Sequence, residues 1–231
     1  MPDTAPVHIA FLLFPGITQL DMTGPAQVLS RLPNARLQFV AKTMDPVSTD
    51  AQFSLLPTAT FADVPRADIL CVPGGFGTIA AMEDEATLAW LRQIGAGATW
   101  VTSVCTGSLL LAAAGLLTGY RAACHWASRD QLAYFGVEPV AERVVFDRNR
   151  VSGGGVTAGI DFALALVAAI AGEDHAKFVQ LSLEYDPHPP FDSGSPERAD
   201  PATLARYKAM VEKFAPGRAD KVKAIAERLA M

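Results

Sequence analysis

Cys105 lies at the junction of two different kinds of sequence. TWVTSV, residues 99–104, is apolar and β-branched and predicts a strand, whereas TGSLLLAAAGLL, residues 106–117, predicts a helix. A cysteine at such a junction lies at the carboxyl edge of a sheet, where open α/β sheets bind ligands. The N–H groups and the dipole of the following helix are expected to favour the thiolate, the nucleophilic form. From position alone, a core role and a nucleophilic role both remain open.

A nucleophilic thiol needs a partner that handles protons, and Asp21 is the first candidate. It follows the predicted strand 7–14 through FPGITQLD, where the chain turns at the same carboxyl edge. A carboxyl group close to a cysteine could hold or pass a proton. A helix cap or turn role for Asp21 is equally open. His125 could also approach Cys105, but nothing local requires it, and a histidine hydrogen-bonded within the fold is the favoured interpretation.

The other cysteines and the glycine clusters carry weaker signals. Cys71 lies inside the apolar stretch DILCVP and is interpreted as a core residue. Cys124 is adjacent to His125, which is weak evidence because neighbouring side chains usually point apart. The glycine clusters at 73–77 (PGGFG) and 153–155 (GGG) could form anion-binding or tight turns, but neither matches a phosphate-loop or dinucleotide fingerprint. No set of His, Cys, Asp and Glu has the spacing of metal ligands, so no metal is predicted.

The composition narrows the class of protein. The chain has 231 residues, half of them hydrophobic and 19% charged, so a folded domain is expected. The net charge of −5 and the absence of basic runs argue against nucleic acid and anionic membranes as partners. Three cysteines without regular spacing favour a reducing compartment. The N-terminal segment has no basic region and is interpreted as a first strand, so a cytoplasmic location is expected.

Strands and helices alternate along the chain, which predicts an α/β fold with parallel strand pairing. Strands are predicted at 7–14, 35–42, 52–56, 67–73 and 99–105, with two short strands joined by an Asp-Arg-Asn turn within 141–155. Helices are predicted at 21–32, with Thr23 as a possible cap and Pro25 in the first turn, and at 84–98, 106–117, 157–172, 173–186 and 202–230. The helix at 157–172 is apolar nearly all round and is predicted to be buried. No composition break divides the chain, so one domain over 1–231 is expected.

Several motifs in one order resemble the ThiJ/PfpI superfamily. They are FLLFPGITQLDMTGP, ILCVPGGFG, VTSVCTGSLLLAAAGLL, HWA and GGGVTAGIDFAL, and the resemblance covers roughly residues 7–190. It implies a flavodoxin-like three-layer sandwich with a mostly parallel central sheet and a nucleophile elbow at Cys105. It also implies a homodimer that needs no cofactor. The combination of Asp21 with Cys-Thr-Gly-Ser also resembles the sensor part of AraC-type regulators, but the chain after the buried helix is too short for their helix-turn-helix module.

The resemblance also implies roles for individual residues. Cys105 becomes the nucleophile and Asp21 its acid–base partner, while Gly75 and Thr106 offer backbone N–H groups. Ile17, Phe76 and Val156 are expected to line an apolar pocket. Gly154 belongs to a glycine hinge at 153–155, which is expected to move during turnover, and the segment 154–157 is expected to supply an N–H donor near the thiolate. Thr106 stands where protease-like members have histidine, so peptidase activity is not expected.

Within the superfamily the motifs are most similar to the branch that hydrates isocyanides to N-substituted formamides. The implied route is attack of the Cys105 thiolate on the terminal carbon, formation of a thioimidate and addition of water. The expected partners are therefore a small isocyanide and water. Two alternatives stay open: a glyoxalase-like or other cysteine-dependent chemistry of the superfamily, and a non-enzymatic redox or stress sensor in which Cys105 is oxidised.

Overall fold

A computed structural model of the protein describes residues 5–230. The strands are β1 (Val7–Leu12), β2 (Ala35–Ala41), β3 (Val47–Ser48), β4 (Ser54–Leu55), β5 (Ala59–Thr60), β6 (Ile69–Val72), β7 (Trp100–Val104), β8 (Arg121–Ala122), β9 (Glu138–Pro139), β10 (Val144–Asp147) and β11 (Arg150–Gly153). The helices are α1 (Gln19–Leu29), α2 (Thr78–Glu83), α3 (Glu85–Gly97), α4 (Gly107–Ala113), α5 (Ala158–Ala171), α6 (Glu173–Ser182), α7 (Pro201–Phe214) and α8 (Arg218–Leu229), with a 3-10 helix at Arg129–Phe135.

The main sheet has seven strands in the order β10-β11-β7-β6-β1-β2-β5. All neighbours pair in parallel except the edge strand β10, which is antiparallel to β11. Helices α1, α5 and α6 pack with one another, and α2, α3 and α4 form a second group, so that the sheet is the middle layer of three. The predicted mostly parallel α/β sandwich is confirmed. Because the strands are parallel, β1, β6 and β7 all end at one edge, and the chain continues there to Asp21, Gly75 and Cys105.

The central strands are apolar because both of their faces are covered. Every residue of β6 is buried, as are the last four residues of β1 and of β7. Phe11 and Phe162, from the sheet and from α5, are among the largest fully buried side chains. Burial on this scale gives a rigid base to the edge of the sheet where β1, β6 and β7 end, here called the functional edge, since close-packed interiors resist displacement.

Three predicted elements differ from the structure in the first half and middle of the chain. α1 begins at Gln19, so Thr23 lies inside the helix instead of capping it, with its hydroxyl group 2.8 Å from Gln19 Oε1, and Pro25 is also internal. α5 is buried along one side only, and Ile170 on it is 36% exposed. Residues 43–67, with one strand predicted at 52–56, contain the three short strands β3, β4 and β5, and only β4 lies within the predicted range. Two-residue strands give too little periodicity to be recognised.

The predicted helix at 202–230 is two helices, α7 and α8. The break falls at 215–217, where Pro216 cannot continue the hydrogen-bond ladder and Gly217 has φ +62°. The break turns the chain so that Arg218, the first residue of α8, is buried. This turn brings the C-terminal part of the protein onto the functional edge of the sheet.

Candidate active site

Cys105 occupies a strained turn between β7 and α4. Its φ is +58°, a left-handed value that costs a residue with a side chain about 1–3 kcal/mol. Two residues later only glycine fits, because a Cβ on Gly107 would lie 2.1 Å from the carbonyl oxygen of Val72. The turn therefore presses the start of α4 directly against the end of β6. Such strain in an otherwise regular fold is typical of functional positions.

The backbone of Cys105 is held by the glycine segment after β11. Its N–H donates to the carbonyl oxygen of Gly154 at 2.8 Å and, more weakly, to that of Gly153 at 3.2 Å. The N–H of Gly154 donates to the carbonyl oxygen of Arg143 at 2.9 Å. Gly154 therefore contacts Cys105 through its carbonyl oxygen and uses its own N–H elsewhere, so an N–H donor from the segment 154–157 stays a prediction for the other residues of that segment.

Asp21 lies in the first turn of α1 and is 2% exposed. Its Oδ2 accepts a hydrogen bond of 2.9 Å from the backbone N–H of Gly74. Oδ1 is buried and meets no well-aligned donor within residues 5–230, and the Cys105 thiol is the neighbouring side chain that interacts with this carboxyl group. Burial raises the pKa of Asp21 to about 7, and the Gly74 and Cys105 hydrogen bonds only partly oppose this rise. Near neutral pH the group can therefore both take and release a proton.

The thiol of Cys105 is 6% exposed and is not a resting thiolate. Burial, and then the negative charge of Asp21, raise the pKa of Cys105 well above its ordinary value. The Thr106 N–H acts in the opposite direction by hydrogen bonding to the sulfur, but it does not compensate. The expectation of a lowered thiol pKa is therefore wrong, because it counted the helix N-terminus and left out burial and the nearby carboxylate. A base must accept the thiol proton when the sulfur attacks.

Gly75 and Thr106 are joined by a buried hydrogen-bond cluster. The N–H of Gly75 donates to Thr106 Oγ1 at 3.0 Å, and the hydroxyl groups of Thr106 and Thr78 are 2.7 Å apart. The Gly75 N–H is thus already used within the protein. Of the two backbone donors expected from the resemblance, only that of Thr106 faces the sulfur. The cluster fixes the turn after β6 against the cysteine turn.

A cavity of about 230 Å³ opens over this arrangement and is lined by Cys105, Thr106 and Gly75. Phe76 and Val156 line it as well, which agrees with the expected apolar walls. Ile17 does not: it is fully buried, and its backbone bridges to Thr49 and Gly75. Ile17 therefore supports the floor of the site from behind.

The match to known proteins agrees with this geometry. Residues 7–169 match the DJ-1/PfpI family. The chain belongs to the DJ-1/PfpI family. An isonitrile hydratase from Pseudomonas putida is 54% identical over 205 residues, covering 88% of this chain and 90% of that protein. The transcriptional regulator CdhR from Pseudomonas aeruginosa is 30% identical over 76% of this chain, which spans 53% of that longer protein.

Solved structures of the DJ-1/PfpI family share the fold. The crystal structure of a ThiJ/PfpI family protein from Pseudomonas syringae superposes with a TM-score of 0.91 at 44% identity, covering 97% of this chain and 92% of that one. Drosophila melanogaster DJ-1beta superposes with a TM-score of 0.71 at 22% identity over 78% of this chain and 98% of that one, which shows the shared fold alone. None of the helices within residues 5–230 has the length and apolarity needed to span a membrane.

Part of the cavity wall lies beyond the family match, which ends at residue 169. Tyr207 and Arg218, from α7 and α8, line the cavity together with His125. Tyr207 and Arg218 carry no local signal, since both belong to a segment whose pattern predicts a polar amphipathic helix. Tyr207 lines the cavity from α7, and the break between α7 and α8 places Arg218 beside it.

His125 lies in the cavity as a neutral imidazole. Burial and the positive charge of Arg218 lower the pKa of His125 to about 4. Its Nδ1 accepts a hydrogen bond of 3.3 Å from the N–H of Ala127, which places the proton of the neutral ring on Nε2, 3.5 Å from the Tyr207 hydroxyl. A ring with so low a pKa is a poor base near neutral pH. Asp21, with its pKa near neutrality, is better suited to accept the thiol proton.

Proposed function

We propose that this protein hydrates isocyanides to N-substituted formamides, with Cys105 as the nucleophile and Asp21 as the proton carrier. The observation that carries the proposal is the buried pair of Cys105 and Asp21 below an apolar cavity, in a chain 54% identical to an isonitrile hydratase. The substrate is uncharged at its reacting end, so it needs a thiol, a proton carrier and an apolar space. The cavity supplies the thiol of Cys105 and the apolar space, and the buried carboxyl group of Asp21 beside that thiol supplies the proton carrier.

In the first step the Asp21 carboxylate takes the proton of the Cys105 thiol as the sulfur bonds to the terminal carbon of R–N≡C. The Thr106 N–H stabilises the negative charge on the sulfur as it forms. The carbon becomes an imidoyl anion and receives the proton from Asp21, which gives the thioimidate R–N=CH–S and restores the carboxylate. The step is neutral overall, which suits a site where burial penalises charge.

In the second step Asp21 takes a proton from water as the water oxygen bonds to the thioimidate carbon, and this proton passes to the substrate nitrogen. The resulting R–NH–CH(OH)–S adduct collapses when its hydroxyl proton moves to the sulfur and the carbon–sulfur bond breaks. The products are R–NH–CHO and the Cys105 thiol. One water molecule is consumed, and the enzyme returns to its starting state.

The remaining proposals concern the reactants, the cellular location and the oligomeric state. The reactants are a small isocyanide and water, and we place the protein in the cytoplasm as a homodimer. Oxidative sensing by Cys105 is less well supported, because a buried thiol with a raised pKa reacts slowly with peroxide. A peroxide titration beside a turnover assay separates sensing from catalysis.

The direct test is turnover of phenyl isocyanide in H₂¹⁸O. The proposal expects N-phenylformamide with the label in the formyl oxygen, and an intact-protein mass increase of one isocyanide during turnover. An enzyme that forms no formamide would rule out the activity. Turnover without an adduct on Cys105, even in rapidly quenched samples, would rule out the covalent route.

A further inference from the structure

Arg218 is a buried cation at the wall of the reaction cavity. The residue is 9% exposed and lines the same cavity as Cys105. Within the described chain, 5–230, no group hydrogen-bonds its Nε or Nη2, although both atoms are shielded from solvent. A buried guanidinium group without partners is costly, because desolvation of an ion amounts to several kcal/mol. A buried polar group without a partner needs an explanation, and a ligand that carries the opposite charge is one.

The neighbours of Arg218 give no compensating carboxylate. The groups whose charges act on it are Cys124, Cys105 and Tyr207, which are neutral when protonated. Burial lowers the pKa of Arg218 from its usual value, but an arginine keeps its charge at neutral pH. The acid that shares the cavity wall is Asp50, which is exposed and accepts a hydrogen bond of 2.8 Å from the Thr18 hydroxyl. Asp50 is thus solvated, whereas the positive charge of Arg218 is screened little by water.

The rest of the wall around Arg218 is suited to an organic group. Phe76, Val156, Met210 and Val211 are apolar, so a flat or branched hydrocarbon can fill the space between the thiol and the guanidinium group. The planar guanidinium group of an arginine holds its N–H donors in a fork that matches a carboxylate. The cavity therefore presents a thiol that attacks carbon and a fork that accepts an anion.

We propose that the preferred substrates are isocyanides that carry a carboxylate, and that the guanidinium group of Arg218 binds this carboxylate. The inference rests on the proposed isocyanide hydration. Arg218 is then a specificity-determining residue that positions the far end of the substrate while Cys105 attacks the isocyanide carbon. A charge-assisted hydrogen bond in a buried site is worth about tenfold or more in preference for the anionic substrate over a neutral isostere.

The test compares para-isocyanobenzoate with its methyl ester. With the wild-type protein, kcat/KM for the carboxylate is expected to exceed that for the ester by tenfold or more. Arg218→Met should lower this ratio to about one, and Arg218→Lys should restore part of it. Arg228→Met is the matched control, because Arg228 is an exposed arginine on the same helix. It should leave the ratio at its wild-type value.

Binding separates this inference from the proposed reaction. In the Cys105→Ala protein, calorimetry is expected to show tighter binding of para-isocyanobenzoate than of the ester, whether or not the wild-type protein turns either compound over. Equal turnover and equal binding of the two compounds would overturn the role of Arg218 and leave the hydration standing. If the Cys105→Ala protein binds the carboxylate more tightly but the wild-type protein forms no formamide, the anion site would be supported and the proposed isocyanide hydration overturned. If Arg218→Met does not fold, the wild-type ratio of the two kcat/KM values and the calorimetry still decide whether the carboxylate is preferred.

Discussion

Oδ2 of Asp21 accepts a 2.9 Å hydrogen bond from the backbone N–H of Gly74, which ties the first turn of α1 to the end of β6. The bond fixes the carboxyl group beside the cysteine turn and leaves Oδ1 without a well-aligned donor within residues 5–230. Because burial raises the pKa of Asp21 to about 7, the group is able to shuttle a proton at neutral pH. The bond to Gly74 therefore holds a buried acid in place beside Cys105.

Cys105→Ala is expected to abolish isocyanide turnover, because no other thiol in the described chain lines the cavity. Cys71→Ala is the matched control: Cys71 is equally buried, has its pKa raised to about 12 by burial, and lies within β6. It should retain most of the activity. Formamide production by a folded Cys105→Ala protein at a near wild-type rate would contradict the mechanism.

Asp21→Asn should lower kcat/KM by about 10²-fold or more while keeping the fold, since it removes a proton carrier and preserves the shape. The pH profile makes the test specific. The wild-type reaction starts from the Asp21 carboxylate, so kcat/KM should fall about tenfold per pH unit below about pH 7. The residual activity of the asparagine variant should lack this fall of kcat/KM at acidic pH. If the fall is unchanged in the variant, it reports the titration of another group.

The same substitution should change how stability depends on pH. The pKa of Asp21 is higher in the folded protein than in the unfolded chain, so the folded state binds the proton more tightly and wild-type stability falls as the pH rises from about 4 to about 7. Asn does not titrate. The stability of Asp21→Asn relative to wild type should therefore increase by about 2–3 kcal/mol between pH 5 and pH 8. Urea unfolding at the two pH values measures this difference, and a constant difference would contradict the raised pKa.

Thr106→Val should destabilise the protein by about 1–3 kcal/mol, because the buried N–H of Gly75 and the hydroxyl of Thr78 lose a partner. Thr106→Ser keeps the hydroxyl group and should remain within about 1 kcal/mol of wild type. Thermal unfolding compares the two variants. Equal stabilities would show that the hydroxyl cluster does not hold the turn.

Gly154→Ala should fold, since a Cβ at this position lies no closer than 3.6 Å to another atom, the carbonyl oxygen of Glu142. We expect it to slow breakdown of the thioimidate more than its formation, because an added Cβ restricts the segment whose carbonyl oxygen holds the Cys105 N–H. Stopped-flow kinetics would show a burst followed by a slower steady state. If both phases slowed equally, movement of 153–155 would play no part in turnover.

The sequence by itself determined the central strands of the fold and the two residues proposed to carry the reaction, Cys105 and Asp21. Continuous apolar runs identify β1, β6 and β7 because strands covered on both faces admit few polar residues. Cys105 is recognisable because the change from a strand-like to a helix-like pattern occurs at that residue. Asp21 is recognisable because it follows a strand at the same edge. These signals are local, so the residue types along the chain are enough to recognise them.

The tertiary structure decided the electrostatics and the far wall of the cavity. The pKa of Cys105 rises because burial and Asp21 outweigh the helix N-terminus, and burial is a property of the whole packed core. Ile17 lies behind the site, and Gly154 contacts Cys105 through a carbonyl oxygen. Both placements depend on the direction of the backbone at these residues, which residue types do not encode. Arg218 reaches the cavity because the chain breaks at Gly217 and α8 packs back on α2, α4 and the 3-10 helix. Contacts between such distant segments follow from packing of the complete fold, and no local pattern specifies them.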